Sequence, residues 1–127
     1  MPKYDGPKYD PPAPIAEVLL RNIESGAIQS RIFLQIDTGA DMTLLPKAAV
    51  QQLGIKPLDG IDYELQAFDG SKSIAEVVEL DLIFLKKAYR GRYLLIDTEH
   101  GILGRDVLAN IALLLDGPHQ EWSQQAG

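Results

Sequence analysis

One stretch constrains the fold of this chain more than any other: the strand-like run that ends on Asp37-Thr38-Gly39. Ile32, Leu34 and Ile36 alternate along it. A period of two places these three side chains on one face of a strand. The run then stops on an acid, a hydroxyl and a glycine, so Asp37 sits where strand becomes turn. Gly39 permits a close backbone approach that a side chain would forbid. A carboxylate at such a turn accepts hydrogen bonds from backbone N–H groups and is held in place without a cation.

The rest of the chain reads as short strands with little helix. Ile15 to Ile23 and Ile28 to Asp37 flank Glu24-Ser25-Gly26-Ala27, which predicts a hairpin. Pro46 to Leu53 is predicted as a short helix, with proline at its first position and Gly54 just past its end. Ile61 to Phe68 and Ser73 to Leu85 are predicted strands around the turn Asp69-Gly70-Ser71-Lys72, and Asp-Gly is a strong hairpin signal. Tyr89 to Ile96, Ile102-Leu103 and Leu113 to Leu115 read as further strands, with a short helix from Arg105 to Ile111. Regular short strands with turn signals imply a mainly β domain. A length of 127 residues suits one such domain and hardly two.

Composition excludes several functions. A net charge of −6 argues against nucleic acid or an anionic membrane surface as the main partner. There are no cysteines, so disulfides and thiolate metal sites are excluded. His100 and His119 are too far apart in sequence to form a local metal-binding pair. No apolar run approaches the length of a membrane span, and the N-terminus lacks a signal-peptide core, so a cytoplasmic protein is expected.

Asp37-Thr38-Gly39-Ala40-Asp41, followed by Thr43-Leu44-Leu45-Pro46, resembles the active-site loop of the retropepsin-like aspartic proteases. Ile102-Leu103-Gly104-Arg105-Asp106 is similar to the second signature of that family, at about its spacing. The resemblance runs from about Ile15 to Asp116 and leans toward the cellular and bacterial branch. It implies a small closed β-barrel of the retropepsin type with a short C-terminal helix. The domain would occupy residues 15–118, between a proline-rich arm (1–14) and a polar tail (119–127).

What the resemblance implies chemically is an endopeptidase with no cofactor and no metal. Two carboxylates at hydrogen-bond distance share one proton, because like charges so close do not both ionise easily. One takes a proton from water, which attacks the peptide carbonyl, and the other protonates the oxyanion and then the leaving nitrogen. The chain has one Asp-Thr-Gly. The other Asp-Thr, Asp97-Thr98, is followed by Glu99 and reads as a loop. One catalytic Asp37 per chain therefore requires a homodimer, with the two carboxylates meeting on a two-fold axis.

By the same resemblance, Thr38 bonds across that axis and Gly39 aims its N–H at the carboxylate. Ala40 and Asp41 contact an extended polypeptide substrate. Asp41 also pairs with Arg105, and Gly104 packs beneath the catalytic loop. The hairpin at Phe68, Asp69, Gly70 and Ser71 falls where the family has a flap that closes over substrate. An ordinary surface hairpin is the other reading, since the tip is charged and holds one glycine.

Three features stay open at this level. The arm reads as an extended, unanchored segment or as one that packs on a partner subunit through Tyr4 and Tyr9. Trp122 reads as a dimer anchor or an exposed tail residue. A catalytically silent dimerisation or peptide-binding module is the alternative function, although two facing acids are a cost that a scaffold has no need of. A phosphate loop of the sugar-kinase or actin type fails on length, and a carboxylate metal site at Asp37 and Asp41 lacks an EF-hand pattern or a nearby histidine.

Overall fold

The computed structural model describes residues 2–66 and 69–125. Two antiparallel pairs set its frame. Strand β2 (Ala13–Arg21) buries Ala16, Val18 and Leu20, and β3 (Ile28–Ile36) buries Ile32, Leu34 and Ile36. They pair from Ile15–Gln35 to Arg21–Ile28, with a register irregularity between Val18 and Leu20. Strands β6 (Lys72–Phe84) and β7 (Lys87–Ile96) pair from Val77–Leu94 to Phe84–Lys87. The two-residue turn between them, Leu85-Lys86, places both residues at positive φ, 51° and 67°. That is the geometry two-residue hairpins favour for strand twist, here adopted by side chains that tolerate it poorly.

The end of β2 also pairs with β6, from Leu19–Ile83 to Arg21–Asp81. Two short strands complete the circuit: β8 (Gly101–Leu103) lies parallel to β3, and β4 (Leu44–Pro46) lies parallel to β7 and antiparallel to β8. The order β2-β3-β8-β4-β7-β6 thus closes on itself through β2–β6. The molecule is mainly β, and the interior of this ring is apolar, with Leu20, Leu34, Leu45, Leu80, Leu82 and Leu103 fully buried.

Closing the ring leaves one acid inside its wall. Asp81 is 1% exposed and accepts hydrogen bonds from Arg21 and Arg90 at 2.9–3.2 Å. Those bonds, Arg90's first, outweigh burial and hold its carboxyl below the ordinary value of 3.8.

The helices are shorter than the sequence suggests. Helix α1 spans Lys47–Gln52, and Pro46 is its extended N-cap as well as the last residue of β4. Helix α2 spans Arg105–Leu108, not Arg105 to Ile111. Strand β5 (Asp62–Gln66) pairs with β6 from Asp62–Glu76 to Gln66–Lys72, which makes the hairpin around Asp69-Gly70.

Both chain ends correct the sequence reading. The arm expected to lie unanchored is tied to its own subunit: β1 (Tyr4–Asp5) pairs with Ala13 and Pro14, and the Tyr4 N–H donates to the Gln120 carbonyl at 2.8 Å. The polar tail contains β10 (Glu121–Gln124), which pairs with β9 (Leu113–Asp116). Trp122 is neither an exposed tail residue nor a dimer anchor. It is 2% exposed, packs on Phe84 with ring centroids 5.7 Å apart, and donates its indole N–H to the Ile15 carbonyl at 2.9 Å. A buried indole with its N–H satisfied stabilises the subunit that contains it. Among the described residues no helix is long and apolar enough to cross a membrane.

Candidate active site

The site begins where β3 ends. The Asp37 N–H still bonds to the Leu103 carbonyl of β8 at 3.1 Å, so the last ladder contact fixes the backbone under the carboxylate. The chain then turns, with the Ala40 N–H donating to the Asp37 carbonyl at 3.2 Å and the Gly39 N–H to Asp37 Oδ1 at 2.9 Å. The side chain of Asp37 is thus oriented by backbone alone, and it stays half-buried at the surface. A Cβ on Gly39 would lie 3.2 Å from the same Oδ1, closer than nearly all such contacts, so a side chain here crowds the carboxylate. Thr38 and Gly39 are exposed beside it.

The second motif lies directly beneath this loop. The Arg105 N–H donates to the Ala40 carbonyl at 2.9 Å and the Asp106 N–H to the Asp41 carbonyl at 3.3 Å. A Cβ on Gly104 would fall 2.7 Å from the Met42 carbonyl group and 3.0 Å from the Ala40 oxygen, which are backbone atoms that cannot swing aside. The structure also brings Arg105 to Asp41, with Nη2 donating to Oδ1. The family resemblance implied this pair. Within one chain it is a single contact between side chains 55% and 73% exposed, a geometry that contributes little to stability.

The stronger link is one the sequence reading left without a role. Thr43 is fully buried, and its hydroxyl donates to Asp106 Oδ1 at 2.7 Å and accepts the Gly104 N–H at 3.0 Å. Asp106 also accepts the Thr43 N–H at 3.0 Å and the Val107 N–H at 2.9 Å, and so caps α2 as well. Three hydrogen bonds thus join the two motifs through Thr43, which locks the Asp37 loop to the α2 turn. The available signal was an acid in the first turn of a helix, a preferred position for capping and for the helix dipole. Gly101 was also overlooked: a Cβ there would lie 2.0 Å from the Leu44 oxygen, so only glycine lets β8 and β4 meet.

A cleft of about 380 Å³ separates the Asp37 loop from the hairpin, lined on one side by Ala40, Asp41 and Met42 and on the other by Tyr63, Leu65 and Gln66. Gly39, Leu44, Glu64 and Leu94 complete the lining, so the cleft mixes polar and apolar surface. Asp69, Gly70 and Ser71 are exposed at the hairpin turn and do not line this cleft. The Ser71 side chain and its N–H, at 2.8 Å from Oδ1, hydrogen-bond to Asp69 and hold its carboxyl below the usual range. Phe68 lies outside the described residues. Asp97 is exposed in the loop before β8. Among the described residues no three His, Asp or Glu side chains are grouped to hold a metal ion.

The chain belongs to the aspartyl protease family, whose model matches residues 26–107, from the first hairpin through both motifs. Membership gives it a protease function of that class. In three dimensions it is similar to the EIAV protease complexed with the inhibitor HBY-793, with a TM-score of 0.57 and 23% identity over 77% of this chain and 86% of that one. That likeness is one of fold, retropepsin-like and mainly β. No curated protein matches the chain by sequence.

Proposed function

We propose that the chain is an aspartic endopeptidase that works as a two-fold homodimer, each subunit supplying one Asp37. The observation that carries this reading is the single Asp37 carboxylate, fixed by the Gly39 N–H and left at the surface beside a cleft. One such acid cannot both take and give a proton at the same water. Two of them across an axis share a proton, and the pair titrates as a unit. The ionised member removes a proton from water as it attacks the scissile carbonyl. The protonated member donates to the developing oxyanion and then to the departing amine.

Extended polypeptide is the substrate class. A strand laid between the Asp37 loop and β5 would bond through its backbone and place alternate side chains in the cleft. Ala40 and Asp41 contact it from below, and the hairpin carrying Asp69, Gly70 and Ser71 covers it as a flap. Thr38 bonds to the partner's loop, and Gly104 and Arg105 support the loop from beneath. A cytoplasmic location is part of the proposal and rests on the sequence alone.

The test is cleavage of an unfolded protein from pH 4 to 7, wild type against Asp37→Asn. The expected result is cleavage that the variant loses while keeping its circular dichroism. Equal cleavage by the variant removes Asp37 from the chemistry. No cleavage by either protein, at concentrations where sedimentation finds a dimer, supports the silent module instead.

A further inference from the structure

We propose that Lys8 and His100 form an acid-released clasp: the arm is held to the loop before β8 while the His100 imidazole is neutral, and protonation of His100 frees the segment between β1 and β2. The inference goes beyond the proteolytic reading and stands without it.

The contact joins two basic side chains. Lys8 Nζ and His100 Nε2 lie 2.7 Å apart. An ammonium offers only hydrogens, so the imidazole nitrogen is the acceptor. The contact therefore fixes the tautomer: Nε2 carries the lone pair and the ring proton sits on Nδ1. A histidinium has no lone pair at either nitrogen. Once His100 is charged the bond no longer exists, and two cations face each other at the same distance.

Both sides of the contact are braced. On the arm, the Lys8 N–H donates to Asp5 Oδ1 at 3.0 Å and fixes the turn that follows β1. Tyr9, half-buried, tilts its ring against that of His100 with centroids 6.4 Å apart. On the loop, the Thr98 hydroxyl donates to the His100 carbonyl at 2.7 Å. Residues 6–12 of the arm belong to no strand, so the ladders on either side do not hold them. His100 directly precedes Gly101, the first residue of β8, and the Leu103 carbonyl of β8 holds the Asp37 N–H. The clasp thus ties the bend of the arm to the strand beneath the Asp37 loop.

No neighbouring acid offsets a charge on His100. Among the described residues no carboxylate lies within ion-pair distance of its ring. Glu99 stands 3.7 Å from Lys8 with its side chain 83% exposed, a contact that solvent screens. Asp5 is taken up by the Lys8 N–H, and Asp10 and Asp97 are exposed and bond to neither side chain. Burial first, and Asp5 second, hold the Tyr9 phenol above its ordinary value of 10.0, so it stays neutral. An imidazole ordinarily takes up its proton between pH 8 and 5. The clasp is therefore closed at neutral pH and opens in the acid range.

Amide hydrogen exchange at pH 7.5 and 5.5, divided by the intrinsic rate at each pH, tests this. Asp37→Asn is the background throughout, so the arm is not cut during the measurement. Ordinary carboxylates and lysines keep their charge between these two values. The Lys8 and Tyr9 amides are expected to lose protection at least fivefold at pH 5.5. The Tyr4 amide, bonded to the Gln120 carbonyl, keeps its protection and reports that the fold is intact. His100→Gln retains an acceptor that cannot charge, so its arm stays protected at both values. His100→Arg carries a permanent cation, so its arm is open at both. His119→Gln, altered at the other histidine, which pairs with Asp116, keeps the wild-type response. Equal protection of the wild-type arm at the two values overturns the clasp. So does an acid response that survives in His100→Gln or disappears in His119→Gln, or an arm that His100→Arg leaves protected at pH 7.5.

Discussion

Thr43→Val removes one oxygen from the centre of the link between the two motifs. The side chain is fully buried, so valine fills almost the same space and no water enters. Two bonds go with the hydroxyl. The Gly104 N–H, donated to Thr43 Oγ1 at 3.0 Å, is left buried and unsatisfied, at a cost of about 1–3 kcal/mol. The 2.7 Å bond to Asp106 Oδ1 also disappears, at about 1.5–3 kcal/mol for a charged acceptor. Asp106 keeps the Thr43 and Val107 N–H groups, so its carboxylate is not stranded and the second cost falls at the low end. The extra methyl returns about 0.8 kcal/mol. The net loss is about 2–3 kcal/mol. With a urea slope of about 1.5–2 kcal/mol/M for a domain of this size, the midpoint falls by roughly 1.5 M. Unfolding is followed at one fixed chain concentration, because association with a partner raises the midpoint by mass action. Thr43→Ser keeps the hydroxyl and loses only a methyl, so it costs about 1 kcal/mol. A valine variant within about 0.5 kcal/mol of wild type, or a serine variant no better than valine, would refute the role given to this oxygen.

Gly104→Ala forces a methyl to within 2.7 Å of the Met42 backbone. The loop must shift, so a stability loss of about 2 kcal/mol and at least a tenfold fall in cleavage rate are expected from denaturation and peptide hydrolysis. Asp81→Asn breaks the buried carboxylate's bonds to Arg21 and Arg90. Those arginines are 36% and 61% exposed and stay solvated, which reduces the cost to about 2 kcal/mol at pH 7. The Asp81 carboxyl is depressed below 3.8 in the folded chain. Its stabilisation is therefore present above that value and is lost as pH falls through the folded value. Urea titrations at pH 7, 4 and 2.5 are expected to show the gap between wild type and variant closing only at the acid end. The acid range of the proposed chemistry thus leaves this brace intact.

Strands were legible where burial is one-sided. Ile32, Leu34 and Ile36 in β3 and Val78, Leu80 and Leu82 in β6 carry the period that a ring with one inner face imposes. The terminal strands carry no such period. Tyr4-Asp5 and Glu121–Gln124 are mostly polar, and they are ordered by pairing with residues far along the chain, as Lys3 with Glu121. Trp122 reads as a lone aromatic in a polar tail because its pocket, beside Phe84 and under Ile15, is made by other elements. Leu44–Pro46 is too short for a pattern to emerge, and its parallel partner β7 lies across a crossover.

The site divides in the same way. Asp37 and Gly39 were legible because their tasks are local: a turn and an N–H aimed at a carboxylate. Gly104, whose close approach is to the distant Met42, was marked by the family resemblance alone. The Thr43–Asp106 link spans 63 positions and exists only once α2 docks under the loop. Arg105 drew attention as a charge beside a charge, yet solvent weakens that pair within one chain, and the buried neutral threonine holds the loop.

The central claim is that one active centre needs two Asp37 side chains from two chains. Mixing wild type with Asp37→Asn at constant total concentration, with time for subunit exchange, tests it most directly. If each centre needs both acids, cleavage activity follows the square of the wild-type fraction, so an equal mixture keeps about one quarter of the full rate. A linear fall to one half would show that each chain acts alone, and the account would be wrong.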